Sequence, residues 1–265
     1  MGSQHEGGTM AGQRSNAGRF DGRVALITGG TRGIGLATGR TLADRGAQVV
    51  LMGRHAGEGS GADTPEGVAF VKGDVRHTED AAAAVQATLE LHGRLDVLVN
   101  SAGIIYRNRT VEEHSEEEWD ATFETNVRGT FLMCRAALPT LRRTRGTIVN
   151  VASYVGLVGF RGAAAYAASK AAVVNLTRTM ALDHAAEGLR VNCVCPGSVD
   201  TDMIRRAWEA TGDVEEAARE WAAKHPLGRI ASAEEVARAV AFLASDDASF
   251  LTGVALPVDG GITAG

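Results

Sequence analysis

Seven short runs rich in β-branched residues alternate with longer Ala- and Leu-rich segments along this chain of 265 residues. The runs are almost continuously apolar, which is typical of strands that are buried on both faces of a parallel sheet. When strands alternate with helices, right-handed crossovers place the helices on both faces of the sheet. The alternation therefore predicts an α/β fold with one doubly wound, parallel seven-stranded sheet.

The apolar runs give the expected strands, and the longer segments between them give the expected helices. The strands are expected at Val24–Thr28, Gln48–Met52, Val68–Lys72, Val97–Asn100, Thr147–Val151, Arg190–Cys195 and Val254–Val258. The helices are expected at Gly33–Arg45, Thr78–Leu91, two segments between Ser115 and Leu141, Ala163–Glu187 and Ala233–Leu243. Capping boxes are predicted at two helix starts, Ser115 with Glu118 and Ser232 with Glu235.

No change of composition divides the folded part of the chain, so we predict a single domain over residues 21–265. Residues 1–20 are polar and rich in Gly and Ser, which predicts a flexible N-terminal tail. Regular alternation stops at residues 196–227, between the sixth strand and the next helix. Because ligands bind beyond the carboxyl ends of the strands in such sheets, we expect this insert to act as a substrate-side lid.

The composition of the chain narrows its possible partners. It carries 27 Lys and Arg against 32 Asp and Glu, so it is mildly acidic. Binding of nucleic acid requires a basic surface, and we therefore expect no nucleic-acid partner. No apolar run reaches the roughly 18 residues that a membrane span needs, and the N-terminus lacks the apolar segment of a secretory signal. The three cysteines, Cys134, Cys193 and Cys195, indicate reduced thiols in a cytoplasmic protein. We expect no metal site, because the histidines form no spaced ligand pair.

A glycine-rich turn joins the first strand to the first helix. The segment from Thr28 to Gly35 has the pattern T-G-x-x-x-G-x-G. Glycine at 29 permits a tight turn, and glycine at 33 and 35 lets the start of the helix approach a pyrophosphate. The spacing differs from the commoner G-x-G-x-x-G, but its place between strand and helix predicts a Rossmann-type fold that binds a dinucleotide.

The end of the second strand bears on the choice of dinucleotide. An acidic residue about 20 positions beyond the glycine loop bonds the 2′-hydroxyl of the adenosine ribose in NAD-binding sites. Here that position is Gly53, followed by Arg54, and Arg32 lies inside the loop. Two cations without a carboxylate favour NADP(H) over NAD(H), unless both arginines are merely solvated.

Two side chains at helical spacing provide candidate acid–base chemistry. Tyr166 and Lys170 are four positions apart, so they share one face of the predicted helix. A tyrosine phenol has a pKa near 10, and a neighbouring ammonium lowers it. Ser153, at the end of the fifth strand, is placed to donate a hydrogen bond to a substrate oxygen. Asn126 is unfavourable inside a helix, which leaves a functional role and a buried structural bond as alternatives.

The sequence resembles the short-chain dehydrogenase/reductase family from about Phe20 to Gly261. The resemblance is carried by several motifs in a fixed order. These are T-G-x-x-x-G-x-G at 28–35, Asp74, N-S-A-G at 100–103, Asn126, Ser153, Tyr166-x-x-x-Lys170 and P-G-S-V-D-T at 196–201. Ser101 departs from the family, which usually has a second asparagine there. Enoyl-reductase relatives separate the Tyr and Lys by more than four positions, so carbonyl and alcohol chemistry is favoured here.

The resemblance implies a role for each of these residues. Tyr166 is expected to transfer the proton, Lys170 to lower its pKa and hold the nicotinamide ribose, Ser153 to polarise the carbonyl, and Asn126 to hold a relay water. Asp74 is expected to contact the adenine, and Asn100 the adenosine-ribose region. The implied cofactor-binding set is Gly29, Thr31, Arg32, Gly33, Ile34, Gly35, Arg54, Asp74, Val75, Asn100, Ala102, Gly103, Tyr166, Lys170, Pro196, Gly197, Val199 and Thr201. The family's last strand and tail usually join a subunit interface, which implies a homotetramer.

The substrate is less constrained. Besides Ser153 and Tyr166, an apolar set is expected to line the pocket: Ile105, Val155, Phe160, Met203, Trp208 and Trp221. This lining favours a hydrophobic or medium-sized ketone, such as a 3-oxoacyl or cyclic ketone. Arg161 is a second option for meeting an acidic group, against a solvent-facing role. The alternatives are NAD-dependent oxidation of a secondary alcohol, a nucleotide-binding sensor without chemistry, and a structural subunit.

Overall fold

The computed structural model describes residues 19–55 and 67–265. Most of the predicted tail, residues 1–18, lies outside the described residues. Phe20, the last residue of that predicted tail, is fully buried, and its backbone N–H donates to the carbonyl of Arg45 across 2.9 Å. The packed core therefore includes a residue that the predicted boundary assigns to the tail.

Seven strands form one parallel sheet in the order β3-β2-β1-β4-β5-β6-β7. They are β1 (Val24–Thr28), β2 (Gln48–Gly53), β3 (Val68–Lys72), β4 (Val97–Asn100), β5 (Thr147–Val151), β6 (Arg190–Pro196) and β7 (Ala255–Val258). Each strand matches its predicted range to within one residue. The predicted doubly wound α/β fold is confirmed.

The helices cover both faces of this sheet. They are α1 (Gly33–Ala43), α2 (Thr78–His92), α3 (Glu116–Phe123), α4 (Gly129–Thr144), α5 (Ala164–His184), α6 (Asp202–Glu209), α7 (Val214–Ala223) and α8 (Ala233–Ala244). On one face α1 and α8 pack on alternate strand residues such as Ile27 and Val99. On the other face α2, α4 and α5 pack on the intervening residues, such as Leu26 and Leu98. Both faces are buried, which explains the continuous apolar runs.

The two predicted capping boxes have different outcomes. Ser232 accepts from the backbone N–H of Glu235, and the Glu235 carboxylate accepts from the backbone N–H of Ser232, so this box is complete. Ser115 accepts from the backbone N–H of Glu118 across 3.2 Å. The carboxylate of Glu118 turns instead toward Arg109 at 3.6 Å and His114 at 3.4 Å. The first box is therefore only half formed, because two basic side chains compete for its carboxylate.

The insert after β6 folds into two short helices, α6 and α7. Ile204, Trp208 and Ala217 form a small apolar cluster between them, and Trp221 packs at its edge. A lid role for this segment stays a prediction. None of the helices in the described ranges combines the length and the hydrophobicity that a bilayer crossing requires.

The order of the sheet places a switch point between β1 and β4. From β1 the chain winds outward through β2 and β3, and it returns to the opposite side of β1 with β4. The loops that follow β1 and β4 meet at this edge, because a Cβ at Gly29 would lie 2.9 Å from the backbone of Ala102. Ligands bind at such points in doubly wound sheets, beyond the carboxyl ends of the strands.

Candidate active site

The loop after β1 is held in a very tight conformation. A Cβ at Gly35 would lie 2.3 Å from the carbonyl oxygen of Gly29, closer than any real side chain approaches backbone. Gly29 and Gly33 also adopt positive φ values of 62° and 53°. Non-glycine residues adopt these φ values only at a cost, so the glycines of this loop follow from its geometry.

The start of α1 fits the pyrophosphate of a dinucleotide. Arg32 occupies the N-cap position without capping the helix with its side chain, and the first turn contains no acidic residue. The free amides and the positive end of the helix dipole are therefore directed toward the glycine loop, where they attract an anion. Thr31 belongs to the same loop, and Ile34 lies in the first turn of α1. These features satisfy the requirement for a phosphate cradle.

A side chain in place of Gly53, at the end of β2, would crowd the glycine loop. A Cβ at Gly53 would lie 2.9 Å from the methyl group of Thr31 in the glycine loop. Arg54 follows and is exposed, as is Arg32. Positive charge therefore borders this corner of the cofactor site.

Asp74, after β3, is already engaged by a neighbouring cation. Its carboxylate accepts from the Arg76 guanidinium at 2.7 Å. Burial raises the pKa of Asp74, but hydrogen bonds from Arg76 and the charges of Arg76 and Arg54 outweigh it, so the pKa is lowered. Val75 is buried against Gly129, where a Cβ would lie 2.6 Å from a Val75 methyl group. Contact of Asp74 with an adenine stays a prediction.

The end of β4 is joined to β1 and to β5 by hydrogen bonds. The hydroxyl of Thr28 accepts from the backbone N–H groups of Ser101 and Ala102 at 3.1 and 3.2 Å. The side chain of Asn100 turns into the sheet, and its amide donates to Asn150 at 2.9 Å. The side chain of Asn100 is thus engaged in a structural hydrogen bond, which competes with its predicted contact with the ribose. Ser101, where the family usually has asparagine, still donates its backbone N–H to Thr28.

Asn126 lies in a π-helical turn, residues 124–128, between α3 and α4. π-turns of this kind are frequent at functional sites. Its side-chain oxygen accepts from the backbone N–H of Ile104 at 2.9 Å, and its amide donates to the Ile104 carbonyl and to the Ser169 hydroxyl, each at 3.0 Å. The structure thus shows the buried structural bond, and it also places Asn126 beside α5.

Asn126 and Lys170 approach the same point of the backbone. A Cβ at Gly103 would lie 3.3 Å from the side-chain oxygen of Asn126 and 3.5 Å from Nζ of Lys170. Nζ of Lys170 also donates to the carbonyl of Val151 at 2.8 Å. Gly103 therefore leaves room for the lysine and the asparagine at the end of β4.

Ser153 lies two residues beyond the end of β5 and caps a short 3₁₀ turn at 154–156. Its hydroxyl accepts from the backbone N–H of Val155 at 3.4 Å, a long bond that leaves its own proton free to donate. The turn presses against α5, because a Cβ at Gly156 would lie 2.7 Å from the backbone of Lys170. This close approach brings Ser153 to the helix face that carries Tyr166 and Lys170.

Tyr166 and Lys170 lie together on α5, as their spacing predicts. Nζ of Lys170 is 5.5 Å from the centroid of the Tyr166 ring. Burial raises the pKa of Tyr166, while the positive charge of Arg107 and the hydroxyl of Ser153 act to lower it. Burial also lowers the pKa of Lys170 to about 8. The structure thus brings the predicted proton donor, its basic neighbour and Ser153 into one site.

The segment after β6 completes the cofactor side. The side chain of Thr201 lies next to the glycine loop, at 3.2 Å from where a Cβ of Gly33 would stand. Val199 is buried and pairs with Ala231 in an isolated bridge. Gly197, which follows Pro196, is closed on one side by His225, since a Cβ there would lie 2.7 Å from Nε2. Segments from β1, β4, β5 and β6 therefore meet around one site.

Comparisons with known proteins agree with this geometry. A family model described as enoyl-(acyl carrier protein) reductase matches residues 29–263. Trans-4-hydroxycyclohexanecarboxylate dehydrogenase of Sinomonas cyclohexanicum is 42% identical over 254 residues, which cover 92% of this chain and 93% of that protein. The 3-oxoacyl-(acyl-carrier-protein) reductase of Chlamydia muridarum is 37% identical over 247 residues, covering 91% and 97%. The chain belongs to the short-chain dehydrogenase/reductase family.

A solved structure extends the similarity to the whole fold of this short-chain dehydrogenase/reductase. The ligand-free aldohexose dehydrogenase of Thermoplasma acidophilum superposes with a TM-score of 0.87 at 35% identity, over 93% of this chain and 96% of that one. The protein is therefore an oxidoreductase that acts on CH–OH groups, and its family uses NAD(P) cofactors. The expected family and enzyme class are confirmed.

The predicted substrate-side residues of this short-chain dehydrogenase/reductase occupy different surroundings. Val155 is buried beside Ser153. Phe160 packs edge-on against Tyr154 with ring centroids 6.0 Å apart. Met203 is 39% exposed at the start of α6, whereas Trp208 is 8% exposed inside the cluster between α6 and α7. The packing of Trp208 is explained by the insert alone, and its contact with substrate stays a prediction.

Arg107 belongs to this site, although no motif in the sequence marks it. Its guanidinium carbon lies 4.8 Å from the centroid of the Trp221 ring. Its positive charge acts on Tyr166 and Tyr154. The only local signal is its place in the loop after N-S-A-G, four residues beyond Gly103. Arg161, the cation considered from the sequence, is exposed.

The three cysteines are buried and free of disulfides. Burial raises the pKa of Cys134 to about 12, so its thiol stays protonated and unreactive at neutral pH. In the described ranges no three His, Cys, Asp or Glu side chains cluster as metal ligands would.

Proposed function

We propose that this enzyme prefers NADP(H) to NAD(H). The observation that supports this preference is the corner beside β2, where Arg54 and Arg32 are exposed and Gly53 is closed off by Thr31. A 2′-phosphate is an anion that guanidinium groups bind well, whereas the ribose hydroxyls of NAD are best held by a carboxylate. This corner offers two cations, and Gly53 supplies no carboxylate.

We assign the proton transfer to Tyr166. A bound nicotinamide supplies or accepts the hydride at the substrate carbon. Because burial raises the pKa of Tyr166, its phenol is protonated at neutral pH, the form that donates a proton to a carbonyl oxygen during reduction. Ser153 donates a hydrogen bond to the same oxygen and stabilises the charge that develops on it.

Lys170 and Asn126 support this proton transfer. An ammonium at Nζ of Lys170, 5.5 Å from the Tyr166 ring centroid, stabilises the phenolate and holds the nicotinamide ribose. The side-chain oxygen of Asn126 accepts one hydrogen bond, from Ile104, and has a second lone pair. We assign to Asn126 a water that passes protons between Lys170 and solvent.

We propose a ketone of medium size and largely apolar character as the substrate. The apolar residues on this side, Val155, Phe160 and Met203, support a 3-oxoacyl or cyclic ketone. Relatives named for a 3-oxoacyl group and for a hydroxylated cyclohexane carboxylate are consistent with either class. The substrate set of this proposal is Ile105, Ser153, Val155, Phe160, Tyr166, Met203, Trp208 and Trp221.

A second candidate is NAD-dependent oxidation of a secondary alcohol. It is favoured by the names of several relatives, which include L-fucose dehydrogenase and meso-2,3-butanediol dehydrogenase. The same catalytic groups serve both directions, and only the cofactor preference separates them.

We further propose a cytoplasmic homotetramer. Large apolar side chains stand exposed on α4, on α5 and near the C-terminus: Phe131 at 44%, Leu182 at 83% and Phe250 at 101%. Contact between copies of the chain would cover such residues. Light scattering of the purified protein measures the assembly, and a monomer would contradict the proposal.

The experiment for the activity is parallel oxidation of NADPH and NADH with β-ketoacyl thioesters, cyclic ketones and keto-sugars. We expect turnover with NADPH on one class, and a loss of about 100- to 10,000-fold in Tyr166→Phe with NADPH still bound. Tyr106→Phe, which removes a phenol from the neighbouring loop, serves as the matched control. A preference for NADH would favour the oxidative candidate, and bound cofactor without turnover would favour a nucleotide sensor.

A further inference from the structure

Arg107 and Arg190, both half-buried, have opposite surroundings. The guanidinium of Arg190 donates to four backbone carbonyls, those of Leu243, Ala244, Ser245 and Ala248. Arg107 makes no such bonds within the described residues, and its buried Nε has no hydrogen-bond partner there. Burial is the main influence on both groups and lowers the pKa of each. Arg190 is satisfied by the fold, whereas Arg107 is not.

Arg107 is also distinct from the arginine two residues further along its loop. Arg109 is half exposed and lies 3.6 Å from the carboxylate of Glu118. No carboxylate of the described chain lies within ion-pair distance of Arg107. The titratable groups that interact with its charge are the phenols of Tyr166 and Tyr154. A half-buried guanidinium whose buried Nε has no partner carries a desolvation cost that the described residues do not offset.

The position of this charge connects it with the reaction. Arg107 stacks on Trp221 of α7, in the insert expected to cover the substrate, with 4.8 Å between guanidinium carbon and ring centroid. Burial raises the pKa of the Tyr166 and Tyr154 phenols, and the charge of Arg107 lowers it in each. The guanidinium therefore contacts the insert and lies within electrostatic range of the catalytic phenol.

We propose that Arg107 binds a carboxylate of the substrate, so that the enzyme acts on a keto acid or the corresponding hydroxy acid. This inference rests on the proposed function and narrows its substrate class. The carboxylate accepts hydrogen bonds from the planar guanidinium, which offers two parallel donors, while the carbonyl of the same molecule meets Tyr166 and Ser153. The face of Trp221 keeps the guanidinium in place and excludes water from the pair.

The test compares a charged and a neutral form of the same ketone. 4-Oxocyclohexanecarboxylate and its methyl ester share the ring and the carbonyl and differ in the negative charge. We expect the wild-type kcat/KM to favour the acid by at least tenfold. Arg107→Gln removes a charge that acts on Tyr166 and so affects both compounds, but we expect it to lower kcat/KM for the acid about 10- to 100-fold more than that for the ester. Arg107→Lys should restore part of the loss, and Arg109→Gln is the matched control that should alter neither.

A binding measurement separates this inference from the proposed function. Cyclohexanecarboxylate has no carbonyl to reduce, and calorimetry in the presence of NADP⁺ measures its affinity without turnover. We expect binding to the wild type and at least tenfold weaker binding to Arg107→Gln. If no ketone is turned over but this difference is found, the anion site stands and the assigned reaction fails.

Two results would overturn the inference. Equal use of acid and ester by the wild type would show that the charge is not recognised. An equal loss on both compounds in Arg107→Gln would show that Arg107 tunes Tyr166 or supports Trp221. The melting temperature distinguishes tuning of Tyr166 from support of Trp221. Removal of a half-buried cation that supports nothing should leave Tm unchanged or raise it, whereas loss of a support for Trp221 lowers it.

Discussion

In the loop after β1, backbone meets backbone, and a Cβ at Gly35 would lie 2.3 Å from the carbonyl oxygen of Gly29. Around α5, side chains meet instead, and Nζ of Lys170 lies 5.5 Å from the centroid of the Tyr166 ring. The cofactor side is shaped by backbone that comes close because side chains are absent. The reactive side is shaped by long side chains that reach a common point from different strands and helices.

The difference determines how each side tolerates substitution. The glycine loop binds through backbone amides, which truncation of a side chain does not remove. It is sensitive instead to added atoms, because its backbone segments are already in close contact. A side-chain constellation is sensitive to removed atoms, and its members carry burial costs that the fold must offset. Burial lowers the pKa of Lys170 and of Arg107, so each of these charges on the reactive side carries a desolvation cost.

The largest expected effect comes from adding one carbon to the cofactor side. Gly35→Ala forces the backbone of Gly29 to move, because 2.3 Å cannot be accommodated. We expect NADPH to bind at least about 1,000-fold more weakly, equivalent to about 4 kcal/mol, measured by fluorescence of the bound cofactor. Gly159→Ala is the control, since a Cβ there meets nothing within 4 Å. Unchanged binding in Gly35→Ala would show that the cradle is not set by backbone contact.

The second prediction removes a charge from the reactive side. Lys170→Met should lower kcat/KM by about 100-fold, because the phenolate of Tyr166 loses its cation. The same change should stabilise the free protein by about 1–2 kcal/mol at pH 7. The ammonium has a pKa of about 8 instead of 10.5, a cost of about 3 kcal/mol, from which the lost bond to the Val151 carbonyl is subtracted.

The size of this stability difference between Lys170→Met and the wild type depends on pH. Between pH 8 and 10.5 the unfolded chain holds a proton on Lys170 that the folded chain has released, so the wild type gains stability as pH rises. The advantage of Lys170→Met should therefore shrink over that range in chemical denaturation experiments. A destabilised variant at pH 7 would contradict the idea that the lysine is held against its burial cost.

The same contrast explains what could be predicted from the sequence. Strands buried on both faces give continuous apolar runs, so their ranges were predicted to within one residue. The glycine loop was predictable because close backbone approach admits only glycine, at Gly29 and Gly35. The pair of Tyr166 and Lys170 was predictable because four residues are nearly one helical turn.

The rest depends on contacts between distant parts of the chain. Arg107 and Trp221 are more than a hundred residues apart, and no local periodicity relates them. The half-formed capping box at Ser115 follows from Arg109 and His114, which draw the Glu118 carboxylate away. The π-turn that carries Asn126 has no sequence signature. Such features follow from tertiary packing, which overrides local preference.

The third prediction uses pH to test the reactive side. Oxidation of an alcohol requires the phenolate of Tyr166, and burial raises the pKa of that phenol above its usual value of 10. We expect the oxidation rate to rise about tenfold per pH unit from pH 7 to 8, where Lys170 keeps its ammonium, while reduction, which uses the protonated phenol, shows no such rise. A plateau of the oxidation rate near pH 7 would mean that bound cofactor and Lys170 outweigh the burial.

The smallest effect is expected from truncating a side chain on the cofactor side. Arg54 is exposed, so its contact with a 2′-phosphate is weakened by solvent and worth about 1 kcal/mol. Arg54→Ala should raise the KM for NADPH by about fivefold and leave that for NADH unchanged. Arg40→Ala, which removes an exposed arginine from the far end of α1, should change neither. A loss as large as that of Gly35→Ala would show that side chains, and not the backbone, carry cofactor binding.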